Sequence, residues 1–278
     1  MAIKTIAVLI DATSTQESRI AYAVNLCLRH DAYLVGVYQL PSHFPGDASS
    51  SFARGHLAIA DALRQREMQQ NALIDKARES FTKLTAQQQI RCEFRIHSSR
   101  INDERRLSSL HADLVIAGSP KRWEYDGPSP DIIQLATGVP FLLVPDGWQR
   151  TIPPQNVLIG WNASREARRA IGDALPLLAA ATSVTLLIVD PQQIALEDEE
   201  PGFEVALFLL RHGVRLKVEP IQSNGKKPAN IITDYAVSNE SDLIVLGAYS
   251  HSRSREIILG GVTRFLLAHS PVPLLIAH

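Results

Sequence analysis

Residues 247–263 hold the types and spacing that point most directly to chemistry. Gly247 closes a short apolar run. The loop after it carries Ser250, His251, Ser252, Arg253 and Arg255, and Gly260 and Gly261 then precede Val262 and Thr263 at the head of a helical run. Glycine lets a backbone approach a ligand closely and adopt positive φ. The first turn of a helix presents N–H groups without intrahelical acceptors, at the positive end of the helix dipole. That layout suits an anion, phosphate above all, and the loop side chains add donors and positive charge. Each residue also has a plainer reading. The glycines fit a turn and helix packing, His251 an exposed loop histidine, Arg253 and Arg255 solvated or ion-paired charges, and Thr263 a helix cap.

No catalytic set accompanies this layout. The sequence has no GxSxG or HExxH pattern and no cluster with metal-ligand spacing. Gly225-Lys226-Lys227 ends like a phosphate-binding P-loop, but no glycine precedes it at the required spacing and position 220 is proline. The acidic run Glu197-Asp198-Glu199-Glu200 reads as a solvated loop, or as a lid over a neighbouring site. Slow hydrolysis, with His251 acting on a bound phosphate or ester, is the weakest of the functional readings.

The elements that must position these residues alternate between strand and helix. Strands are expected at 6–10, 33–38, 92–96, 114–117 and 141–144, with helices at 14–29, 56–88 and 101–110 between them. The 56–88 helix is expected to bury one stripe containing Leu63, Leu73, Ile74, Ala77, Phe81 and Leu84. Several strands are apolar throughout rather than alternating, as in a sheet covered on both faces. A Pro- and Gly-containing stretch at 145–154 reads as a linker, after which the pattern restarts. Strands at 156–160, 184–189, 214–218, 243–246 and 272–276 alternate with helices at 164–178, 203–211, 229–238 and 262–269. This order implies parallel α/β sheets with right-handed crossovers.

The two halves are copies of one unit. Asp11-Ala12-Thr13 matches Asn162-Ala163-Ser164, each following a first strand. The run 112–118, ADLVIAG, matches 241–247, SDLIVLG, and 139–143, VPFLL, matches 272–276, VPLLI. Between the last two blocks the first copy is four residues shorter, and its loop, Ser119-Pro120-Lys121-Arg122-Trp123, lacks the glycine pair.

These residues resemble the universal stress protein family in its tandem form, over nearly the whole chain. The resemblance implies two tandem, doubly wound, five-stranded parallel sheets with flanking helices, a Rossmann-like fold of the adenine-nucleotide alpha-hydrolase type. It divides the chain into a degenerate domain, 1–149, and a domain with a nucleotide-type loop, 150–278. The family loop runs Gly-x2-Gly-x9-Gly-Ser/Thr, and Gly247, Ser250, Gly260 and Gly261 occupy its named places, followed by Val262 and Thr263. The implied ligand is an adenine nucleotide, ATP with Mg²⁺ or AMP. Its ribose would lie at Asn162, where binding members carry aspartate, and its adenine at the backbone of Val189 beside Asp190. Ser250 replaces a glycine, and Gly261 stands where a hydroxyl would meet a phosphate oxygen. The implied role is a stress-response ligand-binding or regulatory protein. The alternative is a non-nucleotide protein-interaction module with a degenerate pocket. The last strands of the two copies are expected to meet as an internal pseudo-dimer, with a homodimer of chains a further step.

Composition sets the outer bounds. The 278 residues suit two domains, 45% are hydrophobic, and the formal net charge is −1. That balance, with no long basic patch, argues against a nucleic-acid partner. No apolar run reaches membrane-spanning length. Cys27 and Cys92 are expected to be buried thiols in a reducing cytoplasm.

Overall fold

The computed structural model describes residues 2–11, 15–40, 56–98, 111–118, 138–193, 200–248 and 261–277. In the first half, β1 (Thr5–Ile10), α1 (Gln16–His30), β2 (Tyr33–Leu40), α2 (His56–Gln88), β3 (Cys92–Ser98), β4 (Leu114–Ala117) and β5 (Phe141–Leu143) follow in order. The second half contributes β6 (Asn156–Trp161), α3 (Arg165–Ala180), β7 (Ser183–Val189), α4 (Phe203–Arg211), β8 (Leu216–Ile221), α5 (Pro228–Ser238), β9 (Leu243–Gly247), α6 (Gly261–His269) and β10 (Leu274–Ala277). The expected helix at 101–110 lies outside the described residues.

The strands form one ten-stranded sheet in the order β3-β2-β1-β4-β5-β10-β9-β6-β7-β8. Every neighbouring pair is parallel except β5 and β10, which run antiparallel with Leu143 opposite Leu274 and Phe141 opposite Ile276. The two expected five-stranded sheets are therefore joined edge to edge. The apolar runs explain the central strands. Ile6, Val8 and Ile10 enter the core on the α1–α4 side, while Ala7 and Leu9 enter the core on the α5–α6 side. A strand buried on both faces has no reason to alternate.

The outermost strand β8 differs. It contains Pro220, which an edge tolerates because one side of its backbone has no ladder to complete. The strand also begins later than its sequence suggests. Val214, expected to open it, instead closes α4. Gly213 takes φ +78, its N–H donates to Leu210 O at 2.9 Å, and Val214 N donates to Leu209 O at 3.0 Å. This is a Schellman closure, and Val214 is the apolar residue that packs beneath it.

Helix α2 departs from its expected single stripe. Among its described side chains burial begins at Ile74 and continues through Ala77, Phe81 and Thr85. Leu84 is half-buried and Leu73 is 44% exposed. Phe81 packs over Gly36 of β2, where a Cβ would come within 2.6 Å of its ring. Cys27 is buried and Cys92 half-buried, and neither is in a disulfide. Burial first, and the nearby Cys92 second, push the Cys27 thiol up to about 12, so it stays protonated and unreactive.

Candidate functional site

In an open α/β sheet, ligands collect where the strand order reverses, at the carboxyl ends of the strands. This molecule has two such places, β1/β4 and β6/β9, and the repeat allows them to be compared position by position.

In the second half, β6 ends at Trp161 and Asn162 follows. Asn162 Oδ1 accepts from Ser164 N at 3.2 Å and from Ser164 Oγ at 2.7 Å. Ser164 is the N-cap of α3, and its Oγ accepts from Ala167 N at 3.1 Å. Ala163 between them takes φ +56. The amide carbonyl of Asn162 thus orders the entry to α3. Gly247 ends β9 against that same helix turn. A Cβ there would lie 2.3 Å from Ala167 N and 2.5 Å from Glu166 C, so glycine is required for α3 to sit on the strand. Glu166, in the first turn of α3, is buried and pairs with Arg165 at 2.5 Å. Its carboxylate lies at the positive end of the helix dipole.

Helix α6 returns to the same edge. Thr263 is buried, and its hydroxyl donates to Gly247 O at 3.3 Å, tying the helix start to the strand end. Gly261 is exposed with open space around the position of a Cβ. Val262 is half-buried beside it. On the other flank, Val189 ends β7 in register with Ile221. Asp190 takes φ +53, donates its N–H to Ile221 O at 2.8 Å, and accepts from Ser223 N on Oδ1 at 2.7 Å.

The first-half place is built from the same parts but filled differently. Asp11 follows β1, as Asn162 follows β6. Its Oδ2 meets the Arg19 guanidinium at 2.7 Å, and the Arg19 side chain is only 3% exposed. Gly118, the counterpart of Gly247, faces this guanidinium. A Cβ there would lie 1.9 Å from Arg19 Nη1 and 3.6 Å from Asp11 Oδ2. Counted along the helices, the residue matching Arg19 is Ala170, which is fully buried. An arginine therefore lies across the strand ends in one copy, where the other has a methyl group.

Residues 154–278 match the model of the Universal stress protein family. The match takes in the second half of the chain from Pro154 onward. No curated protein sequence matches the chain. A universal stress protein from Archaeoglobus fulgidus DSM 4304 has a similar structure at a TM-score of 0.65 and 13% identity, over 98% of this chain and 97% of that one. A functionally unknown protein from Pseudomonas aeruginosa PAO1 follows at 0.60 and 13% identity, over 99% and 92%. At such identities the likeness is one of fold, and it spans both halves.

Within the matched residues, the structure brings Asn162, Gly247, Gly261, Val262 and Thr263 to one edge of the sheet, with Val189 on the next strand. Ser250, His251 and Gly260, with Arg253 and Arg255, lie outside the described residues. Two residues of the paired crevices were missed in the sequence. Arg19 left a signal there, a lone cation on the helix face formed by Ile20, Ala23 and Cys27. Glu166 left none, because a glutamate in a first helical turn ordinarily faces water. Asp11, in the matching first-half position, meets Arg19, and residues 12–14 at the entry to α1 lie outside the described residues. Among the described residues no group of three or more His, Cys, Asp or Glu could hold a metal, and no helix is long and apolar enough to cross a membrane.

Proposed function

We propose that the second half, taken as residues 150–278, binds an adenine nucleotide, ATP with Mg²⁺ or AMP, at the carboxyl ends of β6 and β9. The first half, 1–149, serves as a degenerate partner, and the whole acts as a cytoplasmic stress-response regulator. The observation that carries this reading is the contrast between the two crevices. Arg19, held by Asp11, occupies the strand ends of the first half, and Ala170 stands in its place in the second. The phosphates would rest on the N–H groups of Gly261, Val262 and Thr263, which have no acceptors within α6. The adenine would lie against Val189, and any Mg²⁺ would be carried on the phosphates.

A second reading, an interaction module without nucleotide, is favoured by the side chains themselves. Asn162 Oδ1 is engaged by Ser164 and the Thr263 hydroxyl by Gly247 O, so both already have partners within the chain. Calorimetric titration of ATP·Mg²⁺ and of AMP into nucleotide-stripped protein separates the two. One site per chain is expected. Gly261→Ser, which has room for its side chain, is expected to tighten ATP about ten-fold by adding one hydrogen bond to a charged group. No heat up to millimolar nucleotide, for the parent and the serine variant alike, would leave the interaction module standing.

A further inference from the structure

Helix α4 has two apolar faces but packs with only one. Val205 and Leu209 are buried against the sheet, together with Val214 below the helix end. On the opposite side Phe203, Leu207 and Leu210 recur at helical spacing, flanked by Ala206. Phe203 is 57% and Leu210 54% exposed. The stripe continues onto the sheet, where Val218 of β8 shares the face of Leu216 and is also exposed. In the first half the counterpart of Val218 is Phe94, which packs against Phe81 of α2, 5.7 Å between ring centroids. On the nine-residue α4, Phe203 and Leu210 remain exposed, with Leu207 half-buried between them.

The charges beside the stripe indicate what covers it. Glu204 and Arg211 are one heptad apart, both exposed, and both lie on the same flank of the 203/207/210 stripe. If two copies of α4 pair antiparallel about a two-fold axis near Leu207, that flank faces its own copy. Glu204 of each chain then meets Arg211 of the other, twice, while Phe203 lies across from Leu210. A parallel two-fold pair would instead set this flank against the Ala206 side of the other chain and form no ion pair. Each end of α4 also carries the charge its dipole favours, Glu204 first and Arg211 last. We propose that two chains associate through antiparallel α4 helices, burying Phe203, Leu207 and Leu210 with Glu204–Arg211 pairs along one side. One short helix and its surroundings make a small interface, so the dimer is concentration-dependent rather than obligate. It involves neither the β5–β10 pairing nor the strand-end crevice, and it stands or falls apart from nucleotide binding.

Sedimentation velocity of the full chain over a wide concentration range, without nucleotide, tests this. A reversible monomer–dimer equilibrium is expected. Leu210→Glu should leave it monomeric with an unchanged circular dichroism spectrum. Glu204→Arg should weaken dimerisation by roughly ten-fold, since two pairs turn repulsive, and Glu204→Arg combined with Arg211→Glu should bring it back to the parent level. A chain that stays monomeric throughout, a dimer indifferent to Leu210→Glu, or a double exchange that fails to restore the single one would each overturn the proposal. The exposed charge variants keep the test decisive even if Leu210→Glu disturbs folding.

Discussion

Gly247 and Gly261 belong to one glycine pattern, yet the structure gives them opposite physical roles, and alanine substitution exposes the difference. A Cβ at 247 would stand 2.3 Å from Ala167 N, 2.5 Å from Glu166 C and 2.8 Å from Ala167 Cα, where ordinary contact begins at 3.4 Å. All three are backbone atoms in the first turn of α3, so no rotamer change relieves them. The helix start must retreat by about 1 Å, and overpacking of this kind costs about 1–3 kcal/mol even where side chains can adjust. Gly247→Ala should therefore lose about 3 kcal/mol, at the upper end of that range or beyond. Gly261→Ala meets nothing within 4 Å at the head of α6, and its gain in helix propensity keeps it within about 0.5–1 kcal/mol of the parent, on the stabilising side. Urea denaturation of the two variants beside the parent measures both effects, with an unchanged slope confirming that the same surface unfolds. If Gly247→Ala matches the parent to within about 0.5 kcal/mol, the size of a neutral surface change, the reasoning about α3 is wrong. A corollary follows for binding studies. Loss of ligand in a variant at 247 reports on the fold, so the site is better probed at Gly261.

Two further outcomes follow from buried polar groups. Asp11→Ala should destabilise by about 3–5 kcal/mol, because it strands the buried Arg19 charge. Combining it with Arg19→Met should recover most of that loss in the same denaturation assay, and a double variant no better than the single would refute the pairing. Among the described residues the buried Tyr22 hydroxyl has no hydrogen-bond partner, and burial followed by the Asp242 charge raises its pKa far beyond the working range. Tyr22→Phe should then leave stability unchanged or raise it by about 1 kcal/mol, equally at every pH from 5 to 9; a loss above about 1 kcal/mol in thermal unfolding would contradict it.

Much of this architecture was legible in the sequence, because parallel strands covered on both faces announce themselves as unbroken apolar runs, and β4, β6 and β9 were readable in that way. The repeat did more, since it marks the equivalent places in the two halves by sequence alone. What escaped was decided by tertiary context. Val214 has the composition of a strand opener, but Gly213 turned the chain so that it closes a helix instead. Leu73 fits the apolar spacing of α2 yet lies outside the buried part of the helix. Gly247 also packs against the first turn of α3, a role that its place in the loop pattern did not reveal. Asn162 offered a carbonyl acceptor that the local turn consumes. In each case the residue type was informative, but its partner lay elsewhere in the chain.

The antiparallel junction of β5 with β10 also bears on how the chain comes to be folded. β10 follows every other described strand in the sequence, so on the ribosome the first half is made while β5 still shows an open edge. Unpaired edges invite pairing with other chains. Here the exposure lasts for the synthesis of the whole second half. The three-residue length of β5 keeps the temptation small, since so short a strand offers few hydrogen bonds to a stranger. The same brevity means that its proper partner is recruited less by β5 itself than by the finished second half, which delivers β10 already aligned on β9.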